Sequence, residues 1–229
     1  MLKRKIRTKV MPTILKKLWY VNESGNKQSE KIFNSADFVR FSQVDKLLSD
    51  SLNLDGDVAE LGVYRGRLTE LIADKMLDTN KCLYLFDTFE GFKEVDVKID
   101  QNKKHITGEV EDFSNTSMLS VFNKVSATGF KRENLVIRKG WFPGTLKSGD
   151  EEKRFCFVSI DFDLSAPTLS AISFFWPRLV KGGYVIIHDY GNINYKGVKD
   201  VIDRYIKEND IKAYFELCDY CGTMILKKI

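Results

Sequence analysis

The chain has 229 residues, 43% hydrophobic and 30% charged, enough to bury one substantial core behind an N-terminal extension. Its formal net charge of +4 is unevenly placed: Lys3, Arg4, Lys5, Arg7, Lys9, Lys16 and Lys17 lie in the first twenty residues with no acid among them. The remaining 29 of the 36 basic residues face 32 acidic ones, which excludes a nucleic-acid surface on the body of the protein.

Residues 1–34 are expected to form a basic arm ahead of a domain over 35–229. The arm has no apolar run suited to a secretory signal or a membrane-spanning helix, so a cytoplasmic protein is expected. Two readings stay open for residues 1–20. They lie peripherally on anionic membrane, with Ile14, Leu15, Leu18 and Trp19 dipping in, or they dock on the domain itself or a sister subunit. Pro12 interrupts any long amphipathic helix and favours docking.

Ser35 is placed to cap a helix that turns Phe38, Phe41, Leu48 and Leu52 inward. Strand-like and helical runs then alternate. Short runs rich in β-branched and aromatic residues at 57–61, 82–87, 134–139, 155–161 and 183–188 predict strands. The intervening 66–78, 117–128, 166–180 and 196–208 predict helices, with Ser165 and Pro167 as start signals for the third. Residues 93–116, rich in Lys, Asp, Asn and Gly, show little periodicity. They read either as a mobile lid beside the crevice or as a bystander loop.

Near the end, 213–217 and 223–226 are strand-like and separated by a tight polar turn, which predicts an antiparallel pair. Cys218-Asp-Tyr-Cys221 falls in that turn, without the further ligands of a zinc site and without the helix a redox motif would open. The expected architecture is α/β: a Rossmann-like, doubly wound, seven-stranded and mostly parallel sheet with a C-terminal antiparallel hairpin.

Candidate chemistry gathers at the strand ends. Val58-Ala59-Glu60-Leu61-Gly62-Val63-Tyr64-Arg65-Gly66 reads as a strand delivering an acid and bare backbone to the crevice where open α/β sheets bind ligands. A dinucleotide site would carry glycine where Glu60 stands, and a carboxylate repels phosphate; a ligand with a positive group fits better. Asp87 ends the second strand, placed to accept from ribose hydroxyls. Gly140 permits close approach, and Trp141 or Phe142 offers a wall for adenine. The fourth strand ends in Asp161-Phe162-Asp163 and the fifth in His188-Asp189-Tyr190, so three carboxylates and an imidazole are expected on one rim. Asp161 and Asp189 suit a hard cation such as Mg²⁺. Alternatively Asp161 or His188 serves as general base.

Six segments resemble the macrocin/mycinamicin sugar O-methyltransferase family, over about residues 55–205. They are Glu-Leu-Gly-Val-Tyr-Arg-Gly (60–66), Phe-Asp-Thr-Phe-Glu-Gly-Phe (86–92), Lys-Gly-Trp-Phe-Pro-Gly-Thr-Leu (139–146), Ile-Asp-Phe-Asp-Leu (160–164), Pro-Arg-Leu-Val-Lys-Gly-Gly-Tyr-Val-Ile-Ile-His-Asp-Tyr (177–190) and Gly-Val-Lys-Asp-Val-Ile-Asp (197–203). The resemblance implies methyl transfer from S-adenosylmethionine to a hydroxyl of a sugar, glycan or natural-product acceptor, usually with Mg²⁺, and N-terminal segments at subunit contacts of a homo-oligomer.

On this chain the cofactor-binding candidates are Glu60, Gly62, Tyr64, Arg65, Gly66, Asp87, Thr88, Gly140, Trp141, Phe142 and Asp161. The metal candidates are Asp161 and Asp189, and the catalytic ones Asp161, His188 and Asp189. Some members carry two adjacent acids where this chain has His188-Asp189, which weakens the metal and shifts the base role toward His188. The rival readings are a silent S-adenosylmethionine-binding module and an NAD(P)-dependent oxidoreductase.

Overall fold

A computed structural model describes residues 38–217 and 219–229; the basic arm, Ser35 and Cys218 lie outside the described residues, and with them both readings of the arm. In chain order the elements are α1 (Phe38–Ser51), β1 (Asp57–Leu61), α2 (Arg67–Lys75), β2 (Leu83–Asp87), α3 (Glu94–Asn102), α4 (Met118–Thr128), β3 (Leu135–Lys139), β4 (Phe155–Ile160), α5 (Ser165–Arg178), β5 (Leu179–Ile187), α6 (Gly197–Glu208), β6 (Tyr214–Glu216) and β7 (Met224–Lys227).

The seven strands form one sheet in the order β3-β2-β1-β4-β5-β7-β6. β1 to β5 pair in parallel, and β7 pairs antiparallel with both β5 and β6. The fold is the doubly wound, Rossmann-like α/β class that the alternation predicts.

The period of two along each strand explains why both faces carry helices. Val58, Leu83, Leu85, Phe157 and Ile186 pack on α1, α2 and α4, alongside Val44, Leu48, Leu71, Ile72 and Val121. The alternate residues Leu61, Phe86, Val158, Ile160 and Ile187 pack on α5 and α6, against Ile172, Phe175, Val198 and Ile202. Strands buried on both faces read as continuous apolar runs, which is why they were conspicuous in the sequence.

Three local expectations change. α5 stops at Arg178 rather than 180, with Pro177 in its last turn, and β5 starts at once at Leu179, paired with Phe155. Ser165 does not cap α5 with its own side chain. Its N–H donates to Asp100 Oδ2 at 2.7 Å and its hydroxyl to Asp100 Oδ1, so the cap comes from α3. Residues 94–102, where little periodicity was seen, form α3. Its buried residues are Asp96 and Asp100, so an apolar stripe could not announce it.

Candidate active site

The strand order reverses between β1 and β4, where such sheets open a crevice at their carboxyl ends. Register aligns the strand tips there. Leu61 lies beside Phe86 and Ile160, and Ile160 beside Ile187. The ladder runs one step further: Gly62 N–H donates to Phe86 O, Asp161 N–H to Leu61 O, and His188 N–H to Ile160 O. Gly62, Asp87, Asp161 and His188 therefore form one row across four neighbouring strands, roughly 15 Å from end to end at the usual strand spacing. All four line one cavity of about 330 Å³, with Tyr64, Thr88, Gly140, Trp141, Phe142, Asp163 and Asp189.

At the β1–β2 end the cavity wall is built from satisfied hydrogen bonds. Asp87 Oδ2 accepts from the N–H groups of Val63 and Tyr64 at 2.7 and 2.8 Å, and Oδ1 accepts from Phe89 N–H at 2.6 Å. This carboxylate latches the turn that follows β1. Gly62, at φ +79°, is required by packing: a Cβ there would lie 1.8 Å from Asp161 O. Trp141 is the exposed aromatic of the pair, 41% accessible, and its Nε1 donates to Asp96 Oδ2 at 2.8 Å. Phe142 lines the cavity but belongs mainly to the core, edge-on to Phe86 and stacked on Phe175.

Glu60, Arg65 and Gly66 are not among the lining residues. Glu60 shares the face of Val58, under α1 and α2, because both are even steps along β1. Burial pushes its carboxyl up to about 8; the Thr69 hydroxyl partly offsets this, while the Asp161 charge adds to it. Arg65 Nε donates to Asn115 O at 3.0 Å. Gly66, at φ +71°, stands at the start of α2, where a Cβ would press on Val121.

The β4–β5 end carries unbalanced charge. Asp161 Oδ2 accepts from Arg40 Nη1 at 2.7 Å. Burial opposes its ionisation, but His188 and Arg40 prevail and hold its carboxyl below the ordinary range. Asp163 goes the other way: burial, then the charges of Asp189 and Asp161, raise it well above that range. Asp189 is 2% exposed, accepts from Asn192 Nδ2 through Oδ1 at 2.8 Å, and has a buried Oδ2 with no hydrogen-bond partner among the described residues. Asp161, Asp163 and Asp189 each offer an oxygen within 4.8 Å of the others. Asp163 and Asp189 both hold left-handed backbone at φ +57°, a strain typical of functional turns.

Several lining residues carried no sequence signal. Asp96 lies on a helix without an apolar stripe, and Glu111, Asn192 and Tyr195 come from loops. Cys221, set aside as part of a turn, reaches the cavity because its loop is pressed on residue 191: Gly191 N–H donates to Cys221 O at 2.7 Å. Gly191 and Gly222 make that contact possible, since a Cβ on either would stand 2.9 Å from the other's Cα. That complementary glycine pair was the one available hint.

The sequence profile of the family described as Macrocin-O-methyltransferase (TylF) matches residues 39–227. The chain is 30% identical over 155 residues to the 8-demethyl-8-(2,3-dimethoxy-alpha-L-rhamnosyl)-tetracenomycin-C 4'-O-methyltransferase of Streptomyces olivaceus, covering 64% of this chain and 57% of that protein. It is 29% identical over 143 residues to the mycinamicin III 3''-O-methyltransferase of Micromonospora griseorubida, covering 59% of this chain and 55% of the relative. The matches thus span a little over half the length of either relative. Among solved structures, the O-methyltransferase NovP superposes with a TM-score of 0.68 at 22% identity, over 83% of this chain and 80% of that one, a likeness of fold.

Proposed function

The chain belongs to the macrocin O-methyltransferase family, and on that premise we propose that it transfers a methyl group from S-adenosylmethionine to a hydroxyl of a sugar or sugar-bearing natural product. The relatives named for a rhamnosyl tetracenomycin and for mycinamicin III support this acceptor class. The observation that carries the reading is the row Gly62, Asp87, Asp161 and His188 along one cavity. Its latched end, with Thr88, Gly140, Trp141 and Phe142, takes the nucleoside. Its charged end takes the acceptor. Glu60, Arg65 and Gly66 act from behind, by shaping the turn.

S-adenosylmethionine supplies a methyl group already activated on a sulfonium, so the protein's task is alignment. Asp87 keeps Gly62 and Tyr64 in place through the hydrogen bonds of the turn, and Asp96 sets the plane of Trp141. A sugar hydroxyl is a poor nucleophile until its proton is withdrawn. Asp161, committed to Arg40 and easily ionised, is suited to orient the acceptor oxygen. His188, 14% exposed and bordering the cavity, takes the proton at Nε2.

The acid cluster also fits a divalent cation. Three hard oxygen donors converge and the buried Asp189 Oδ2 has no partner among the described residues, which is the donor chemistry of Mg²⁺. Asp161 and Asp189 would hold it, with Asp163 as a third donor. Bound there, the ion would lower the pKa of a coordinated hydroxyl and neutralise the clustered charge.

Titration calorimetry with S-adenosylhomocysteine, with NAD⁺ and NADP⁺ as controls, tests the reading. Saturable binding of the first alone, with labelled methyl appearing on a rhamnosylated acceptor, is the expected result. Binding of a nicotinamide dinucleotide without S-adenosylhomocysteine overturns it. A rise in Tm with Mg²⁺ that disappears in Asp189→Asn tests the cation.

A further inference from the structure

We propose that Asp219 and Thr223 lock His188 into the tautomer whose free lone pair is on Nε2, acting as positioning residues for proton transfer. The geometry stands by itself; only its catalytic consequence rests on the methyl-transfer reading.

β5 and β7 run antiparallel with Ile187 opposite Met224, so one further step sets His188 opposite Thr223. Thr223 is fully buried. Its N–H donates to Asp219 Oδ1 at 2.8 Å and its hydroxyl donates to Asp219 Oδ2, so one carboxylate grips both groups of one residue. An ionised carboxylate only accepts, and a hydroxyl has a single proton. Once that proton points at Asp219, Thr223 Oγ1 is left as an acceptor. It lies 3.1 Å from His188 Nδ1, which must therefore be the ring nitrogen that carries hydrogen.

A neutral imidazole has one N–H, so Nε2 keeps its lone pair. Nε2 is the nitrogen nearer the acid cluster, 3.9 Å from Asp189 Oδ1. The lock imposes the opposite of the preference of a free imidazole in water, which keeps its proton on Nε2. The loop is secured by the Gly191–Cys221 contact, so the chain Asp219–Thr223–His188 is held from both ends.

The chain has only two histidines, which makes the tautomer directly readable. In protein labelled with ¹⁵N-histidine, multiple-bond ¹H–¹⁵N spectra above the imidazole titration range should show His188 with a protonated Nδ1 and a bare Nε2; the signals lost in His188→Asn give the assignment. Thr223→Val, equal in shape but without the hydroxyl, should move the proton to Nε2, and Thr223→Ser should restore the wild-type pattern. Asp219→Asn should give a mixture. With an accepted sugar substrate, Thr223→Val should lower kcat about ten- to a hundred-fold with S-adenosylmethionine KM nearly unchanged.

A wild-type spectrum with Nε2–H, or one unmoved by Thr223→Val, overturns the lock. A moved tautomer with undiminished turnover overturns its catalytic role. Failure to bind S-adenosylhomocysteine sinks the methyl-transfer reading and leaves the tautomer result standing, so the two failures are told apart.

Discussion

The two ends of the cavity are built on opposite terms. Around Asp87 the site's own groups hold one another: the carboxylate accepts from three backbone N–H groups, and Trp141 Nε1 donates to Asp96. Around Asp189 the groups are in conflict, with one carboxyl driven up, its neighbour driven down, and a buried oxygen without a partner among the described residues. A region whose hydrogen bonds are satisfied is preorganised for binding. A region with uncompensated charge is completed by what it binds, and it lowers the stability of the empty protein.

The severest break in this contrast is at the seam between the halves. Gly62→Ala would drive a Cβ into Asp161 O and should cost more than about 4 kcal/mol in urea unfolding, or prevent folding altogether. A mild effect would mean that the β1 and β4 tips are not in contact. Asp189→Asn should next lower turnover by about a hundred-fold or more while S-adenosylhomocysteine affinity stays within a few-fold. The same change relieves charge and should raise Tm by about 2–4 °C. If nucleoside affinity collapses instead, the division of labour between the two ends is wrong.

Glu60 sharpens the contrast through pH. Its carboxyl lies at about 8 in the folded protein against 4.5 when free, because burial disfavours the charged form. The fold prefers it protonated. Its stabilising share is therefore whole below pH 4.5 and declines as pH rises through 8. At about 1.4 kcal/mol per unit, the loss reaches a few kcal/mol at pH 9. Urea titrations of Glu60→Gln should be flatter between pH 5 and pH 9 than those of the wild type. Parallel curves would mean that Glu60 ionises freely. The smallest effect belongs to Asp96→Ala, which frees the Trp141 indole and should weaken S-adenosylhomocysteine about three- to ten-fold in calorimetry, with kcat unmoved.

β1, β2 and β4 were legible because they are buried on both faces and so appear as apolar runs, and β3, at the sheet edge and only half-buried, through its β-branched residues; all four begin and end within a residue of where those runs do. The acids at their tips were legible for the same reason, as the first polar residues after the runs. α3 was hidden because the residues it buries are aspartates, bonded to groups far away in sequence. Arg40 beside Asp161 was equally invisible, lying 121 positions away.

By itself the order of residues determined the alternation, the class of sheet and which side chains stand at the strand ends, since periodicity and chain reversal are local properties. The tertiary structure alone decided which of those side chains share a cavity, that Glu60 turns under α1 and α2, and which nitrogen of His188 is left bare. Those outcomes depend on strand register and on hydrogen bonds between distant segments, and a shift of one residue in register would reverse them.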